Sequence, residues 1–153
     1  MKELDLNAPI YPGKSAAGVA IGQGVDSLAE PLKRVQLSGV VRLDYACVSV
    51  WLTDGRVNQV GVHQGYTGTF RHCIGIGFSI GDVDRLIRPV HEDPEDNLVV
   101  LGSPGWCFDT SRWRGDRLKD NYDTRITDIF VFEDVAGEPD AADGAGASDE
   151  RRS

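Results

Sequence analysis

The sequence predicts an α+β fold: two tandem α-β-β-β units that share a mainly antiparallel sheet, with helices on one face. Two internal matches predict the tandem arrangement. Residues 56–62 recur 69 positions further along as residues 125–131. An earlier pattern recurs 55 positions further along, in the pairs Tyr11 and Tyr66, Gly13 and Gly68, Val19 and Ile74, Ile21 and Ile76, and Gly22 and Gly77. Such self-similarity is typical of a duplicated unit, and the second copy contains 14 additional residues.

Each unit is predicted to begin with a short helix. The apolar residues between Val25 and Leu32 are spaced as one face of a helix, with Pro31 in its last turn. The same spacing recurs within residues 80–87, where Pro89 predicts the end of the second helix. We therefore expect one helix at the start of each copy.

Three strands are predicted to follow each helix, about six in all. Apolar and polar residues alternate as they do in half-buried strands. The strands predicted in the first unit are 40–43, 48–52 and 57–62, and those in the second are 98–101, 106–109 and 125–133. Asp54 and Gly55 predict a tight hairpin between the last two strands of the first unit, because this dipeptide readily adopts positive φ angles.

One globular domain is predicted over residues 1–136, with the repeats at about 10–64 and 65–134. A unit of about 55 to 70 residues has a marginal core on its own, so we expect the two units to share one core. Residues 137–153 contain no large apolar side chain. This composition predicts a disordered acidic tail.

Charge and composition exclude several classes of function. The net charge of −8 argues against binding to nucleic acid, whose phosphates require a positive surface, and permits a basic partner. No run of 18 apolar residues indicates a membrane helix, and the N-terminus shows no secretory signal. The three cysteines lack CxxC spacing, which is typical of reduced thiols in a cytoplasmic protein.

The residues from Ile21 to Leu28, followed by the strand-turn-strand pattern at 51–57, resemble a helix followed by three strands in two groups of small bacterial domains. These are the outer-membrane assembly lipoproteins of the SmpA/OmlA type and the tandem β-lactamase inhibitor proteins. The resemblance covers about residues 10–134, and the second group also has two copies in one chain. It implies the architecture and makes inhibitor-type protein binding an expected role.

No catalytic motif is predicted, so we expect neither enzyme activity nor a cofactor. His72 and Cys73 are adjacent and would lie on opposite faces of a strand. The acidic turn at 91–96 lacks the ordered spacing of a calcium loop, so no metal is expected there. The alternative function is a small-ligand or metal-binding domain, or an enzyme, that uses the open sheet face with His63, His72 and residues 91–96.

The 14-residue insertion in the second copy is the segment most typical of a binding loop. Loops on rigid scaffolds often carry function, and Trp, Tyr and Arg are enriched at interaction hot spots. Alternatively, Trp113 and Leu118 fold back over a sheet edge. The acidic turn is the rival surface for a basic partner. The predicted partner-binding residues are Arg112, Trp113, Arg114, Arg117, Tyr122, Glu92, Asp93, Glu95 and Asp96.

The function favoured by these observations is an intracellular protein-binding inhibitor. Its most concrete form is an immunity protein that neutralises a cognate bacterial toxin. The expected partner is therefore a protein, and neither nucleic acid nor a membrane is expected to bind.

Overall fold

The computed structural model describes residues 4–92, 98–111 and 118–133. Its strands are β1 (Ser15–Ala16), β2 (Val19–Ala20), β3 (Lys33–Leu37), β4 (Val40–Tyr45), β5 (Val48–Thr53), β6 (Arg56–Val62), β7 (Val90–Glu92), β8 (Leu98–Val100), β9 (Ser103–Thr110) and β10 (Ile126–Phe132). Its helical elements are α1 (Ile80–Leu86) and the 3₁₀ turns Val25–Ser27 and Leu118–Asn121.

The fold is built on one eight-stranded antiparallel sheet, in the order β3-β4-β5-β6-β10-β9-β8-β7. Strands β1 and β2 form a separate small antiparallel sheet. The predicted mainly antiparallel sheet is therefore confirmed. The described helical content is one α-helix of seven residues and two short 3₁₀ turns.

The expected number of about six strands is too low, because the sheet has eight. The six predicted strands correspond to β4, β5, β6, β8, β9 and β10. The two additional strands, β3 and β7, form the edges of the sheet. Four of the five residues of β3 are exposed, so this strand has no alternation to detect, and β7 contains only three residues.

The first predicted helix is wrong beyond its first turn. A 3₁₀ turn covers Val25–Ser27, and Leu28 is already extended with ψ 154°. Leu32 is 80% exposed, and its N–H donates to the carbonyl of Asp44 at 2.8 Å. The chain enters the sheet here because Pro31 cannot donate a helical hydrogen bond and disfavours a helical residue before it.

The second predicted helix is confirmed as α1. Its first turn carries a capping box, in which Ser79 and Asp82 each accept a hydrogen bond from the other's backbone N–H. Such a box satisfies N–H groups that have no partner within the helix. The pKa of Asp82 is lowered, first by the Ser79 N–H and then by Arg85.

The core lies on one face of the eight-stranded sheet. Alternate residues of the central strands are buried there, for example Val48 and Val50 on β5 and Ile129 on β10. Buried residues of the N-terminal segment, of the segment before α1 and of α1 itself pack against them, including Ile10, Val19, Tyr66, Ile74 and Ile80. Two layers therefore enclose the core, with the sheet as one of them.

Each half of the chain fixes its helical turn to its last strand in the same way. The hydrogen bonds in the first half run from Gly22 N to Val57 O, from Val57 N to Gln23 O, and from Arg56 Nη1 to Gly22 O. Those in the second half run from Gly77 N to Ile126 O, from Ile126 N to Phe78 O, and from Arg125 Nη1 to Gly77 O. Strands β6 and β10 then pair with each other at the centre of the sheet.

Candidate functional site

The face of the eight-stranded sheet opposite the core, called the open face below, carries the candidate site. Successive side chains of a strand point to opposite faces, so Ser49 and Trp51 point away from the core that holds Val48 and Val50. Ser49 pairs with Gly61 on β6, and Gly61 pairs with Phe130 on β10. Apart from Gly61, the residues named on this face are partly exposed.

A serine, a histidine and an aspartate are joined in series on the open face. Ser49 Oγ lies 3.1 Å from Nε2 of His63. Nδ1 of the same imidazole lies 2.5 Å from Oδ1 of Asp128. The second oxygen of Asp128 accepts a hydrogen bond of 2.9 Å from the hydroxyl of Thr127. Residues of β5, of β10 and of the position directly after β6 therefore form one polar network.

The partners of His63 determine which nitrogen carries its proton. A carboxylate can only accept hydrogen bonds, so the nitrogen facing Asp128 must be protonated. In the neutral imidazole the other nitrogen is then an acceptor, and the hydroxyl of Ser49 can donate to it. The series thus has the order of nucleophile, base and orienting carboxylate that activates serine in many enzymes.

Arg42 and Asp44 extend the network on the other side of Ser49. The Arg42 guanidinium donates to both carboxylate oxygens, from Nε at 2.8 Å and from Nη2 at 3.2 Å. Ser49 Oγ lies 3.3 Å from the nearer of these oxygens. Asp44 is therefore a second acceptor for the serine hydroxyl, at a longer distance than His63.

Two aromatic rings lie beside this network. The centroid of Phe130 is 6.0 Å from that of Trp51 and 6.2 Å from that of His63, and both contacts are edge-to-face. A Cβ atom on Gly61 would lie only 2.9 Å from Cδ1 and Cε1 of Phe130. Glycine at this position therefore leaves room for the Phe130 ring in the middle of the open face.

A second carboxylate adjoins the network. Asp109 on β9 is the register partner of Asp128 on β10. Burial raises the pKa of Asp109, and the negative charge of Asp128 raises that pKa further. Two like charges on adjacent strands repel each other, so this end of the open face favours a positive ligand.

The predicted partner-binding residues are only partly described. Glu92 is exposed at the end of β7. Tyr122 is 40% exposed, and its carbonyl accepts a hydrogen bond of 2.8 Å from the N–H of Gly81 in α1. The remaining predicted residues, Arg112, Trp113, Arg114, Arg117, Asp93, Glu95 and Asp96, lie outside the described residues.

The structure places His63 and His72, the two histidines of the alternative site, in different elements. His72 is exposed in the turn between Phe70 and Ile74, with φ 60°, so it does not belong to the sheet. Both ring nitrogens of His63 are bound by Ser49 and Asp128. Among the described residues, no three His, Cys, Asp or Glu side chains are arranged to hold a metal ion.

Sequence reasoning had identified His63 but missed its partners. Alternation alone places Ser49 and Trp51 on the face opposite Val48 and Val50. Predicting that Ser49 meets His63, however, also requires the register of the β5–β6 hairpin, and predicting Asp128 requires the β6–β10 pairing. The Asp54–Gly55 turn is the local sequence signal for the register of the β5–β6 hairpin.

A shallow groove of about 470 Å³ lies where the chain leaves β6, lined by residues of 64–67, 76–77 and 125–127 together with Ser111. Arg125 is its charged lining residue, and its guanidinium donates to the carbonyl of Gly77 at 3.4 Å. Its lining contains no histidine, and the hydroxyl of Thr127, which lines it, donates to Asp128 of the open-face network. The groove therefore lacks the chemistry present on the open face.

Comparison with known proteins identifies a fold but no family. No protein-family model and no curated protein matches the chain. The crystal structure of the uncharacterized protein yfeY from Escherichia coli is similar, with a TM-score of 0.56 and 12% identity, over 86% of this chain and 100% of that one. At this identity the likeness shows the fold alone. In the described ranges, no helix is long and apolar enough to cross a membrane.

Proposed function

We propose that this chain is an intracellular protein-binding inhibitor, most concretely an immunity protein that neutralises a cognate bacterial toxin. One observation carries the proposal: the described residues leave one face of an eight-stranded sheet uncovered, with Trp51 and Phe130 partly exposed at its centre. Aromatic residues and arginine are the types that dominate binding energy at protein interfaces.

The polar groups of the open face are held in place before any partner binds. Arg42 is fixed by Asp44, and His63 is fixed between Ser49 and Asp128. Side chains that are already ordered lose less entropy on binding, which increases affinity. A sheet face of this kind therefore suits a rigid, specific contact.

Charge supports a basic partner. By the pairing registers, Lys33 and Arg42 share the open face with three carboxylates, those of Asp44, Asp109 and Asp128. The whole chain carries a net charge of −8. A negative surface attracts a basic protein over long range and raises its association rate.

We propose further that the loops predicted to bind the partner add to this surface. Strands β6, β7 and β9 run in the same direction in the antiparallel sheet. Glu92 and Thr110, which end β7 and β9, therefore lie at the same end of the sheet as His63. In the sequence, these two strand ends are followed by the predicted contacts Asp93, Glu95 and Asp96, and Arg112, Trp113, Arg114 and Arg117.

We also propose that the two halves are tandem copies of one unit, each with a helical turn on the same face. The hydrogen bonds between each helical turn and its last strand support this proposal. The bonded residues of the first half become those of the second half when the turn is shifted by 55 positions and the strand by 69. Under the second shift Gly61 corresponds to Phe130, and these two residues pair with each other. An approximate two-fold axis would then pass through the centre of the open face.

Truncation of Trp51 tests the proposed function. The partner to assay is a bacterial toxin domain, to be sought first among the products of the genes beside this chain's gene. If Trp51 is a hot spot, Trp51→Ala costs at least about 2 kcal/mol, or about a 30-fold rise in Kd. Tyr11→Ala is the matched control, because Tyr11 is 53% exposed and belongs to the segment on the other side of the sheet. Equal binding by both variants would exclude the open face as the docking surface.

A further inference from the structure

We propose that Ser49, His63 and Asp128 form a nucleophilic site that accepts acyl groups from activated aryl esters. The proposal goes beyond protein binding and does not depend on it. The Ser49–His63 distance of 3.1 Å and the His63–Asp128 distance of 2.5 Å are within the hydrogen-bond reach that a nucleophile, its base and an orienting group require.

The hydroxyl proton of Ser49 has two possible acceptors, and geometry favours the imidazole. The Asp44 oxygen is farther away, at 3.3 Å, and the Arg42 guanidinium already donates to both oxygens of that carboxylate. That carboxylate is therefore already engaged by a cation. Nε2 of His63 has no other donor among the described residues, so it is the base for Ser49.

The surroundings of Ser49 indicate the class of substrate. Its cross-strand neighbour Gly61 contributes no side chain, and the ring of Phe130 lies over that glycine. Trp51 lies two residues along the same strand and contacts Phe130 edge-to-face. This apolar aromatic surface beside a partly exposed nucleophile suits a flat aryl leaving group, whose ring can pack against Phe130.

The reaction is an acyl transfer that balances without a further reactant. Ser49 Oγ forms a bond to the carbonyl carbon of the ester, and its proton passes to Nε2 of His63. The bond between that carbon and the aryl oxygen breaks, and His63 returns the proton to the departing aryloxide. The products are acylated Ser49 and a phenol. Asp128 is a positioning residue, because it acts only through the imidazole.

The same geometry predicts that the transfer is slow. The backbone N–H groups of β4, β5 and β6 lie in the plane of the sheet, where they form the ladder hydrogen bonds. None of them is directed outward to the position that the oxyanion would occupy above Ser49. The loss of one such donor costs about 10²–10³-fold in rate. We therefore expect acylated Ser49 to accumulate rather than turn over rapidly.

Acetylation by p-nitrophenyl acetate tests the site in the isolated full-length chain. Tandem mass spectrometry measures the acetylation rate of each serine in one digest and separates Ser49 from Cys47 in their shared peptide. Ser27 is the internal control, because its hydroxyl contacts Gly24 and Gln23 and no histidine. General-base assistance contributes about 10²–10⁴-fold, so we expect Ser49 to react at least about 100-fold faster than Ser27.

Variants assign the effect to the proposed residues. His63→Gln should lower the rate at Ser49 to that of Ser27, and Asp128→Asn should lower it about tenfold or more. The proposal is overturned if Ser49 in the unmodified chain reacts no faster than Ser27, and this comparison does not depend on the folding of any variant. It is also overturned if His63→Gln leaves Ser49 as reactive as in the unmodified chain. Because no partner is present, either result leaves the protein-binding proposal intact.

Discussion

Removing one hydroxyl group from the core is expected to destabilise the fold measurably. Tyr66 is 3% exposed, and its hydroxyl joins two distant parts of the N-terminal segment. It donates to the carbonyl of Ala8 and accepts a hydrogen bond of 2.9 Å from the N–H of Ala17. Tyr66→Phe removes both bonds but keeps the ring and its packing.

The magnitude follows from the burial of the groups that lose their partner. Ala17 is fully buried, and a buried donor left unsatisfied costs about 1–3 kcal/mol. Ala8 is 9% exposed, so water can partly replace the lost bond to its carbonyl. For a chain of this size each 1 kcal/mol lowers Tm by about 2–4 °C. We therefore expect a fall of about 2–12 °C.

Calorimetry at neutral pH measures this fall, with Tyr11→Phe as the control. Tyr11 is 53% exposed, so removal of its hydroxyl should change Tm by less than about 1 °C. A loss below 1 °C for Tyr66→Phe would refute the two hydrogen bonds.

An alkaline titration provides a second check on Tyr66. Burial raises its pKa, although the hydrogen bond from Ala17 opposes the shift. The ionised phenol is therefore less stable in the folded chain than in the unfolded chain, and stability falls as pH rises above about 10. Tyr66→Phe lacks this loss, so the difference in stability between the two proteins should narrow above that pH. A constant difference would contradict the burial of the hydroxyl.

Two further predictions concern the open face. Asp109→Asn should stabilise the fold slightly at pH 7, because the pKa of Asp109 is raised in the folded state and its ionised form is disfavoured there. Asp109 is exposed, so solvent screening limits the gain to less than about 1 kcal/mol. In urea denaturation the gain should vanish near pH 3, and an equal gain at both pH values would contradict the repulsion. Gly61→Ala should cost about 1–3 kcal/mol by overpacking, since the new methyl group would lie 2.9 Å from Phe130. The control Gly24→Ala meets no atom within 4 Å, and similar denaturation midpoints for the two variants would contradict the ring position.

Features encoded by neighbouring residues could be predicted from the sequence. The turn at Asp54 and Gly55 has the predicted positive φ angles, 52° and 76°. Helix α1 forms where apolar spacing, a cap and a following proline agree. The first predicted helix has similar apolar spacing, but it gives way after Ser27 to a strand that pairs with β4. Tertiary pairing there outweighed the local helical pattern.

The candidate site could not be predicted in the same way, because it depends on strand register. The contact of Ser49 with His63 spans 14 residues, and that of His63 with Asp128 spans 65. A shift of one residue in either pairing would move these side chains to the other face. The sequence therefore favoured the long insertion as the binding site, because it is rich in Trp, Tyr and Arg. Ser49 and Asp128 are polar residues within apolar strands and carry no such signal.

The most direct test of the proposed function is hydroxyl-radical footprinting of this chain with and without a bound toxin domain, the partner to be sought among the products of the neighbouring genes. The method reports the solvent exposure of side chains, whereas the backbone amides of a sheet are already protected by its ladder. We predict that binding reduces the oxidation of Trp51 and Phe130. Tyr11, Leu86 and Leu101, which are 53%, 50% and 51% exposed, should remain as reactive as before. Protection of these three residues, with Trp51 and Phe130 unchanged, would contradict the assignment of the open face as the binding surface.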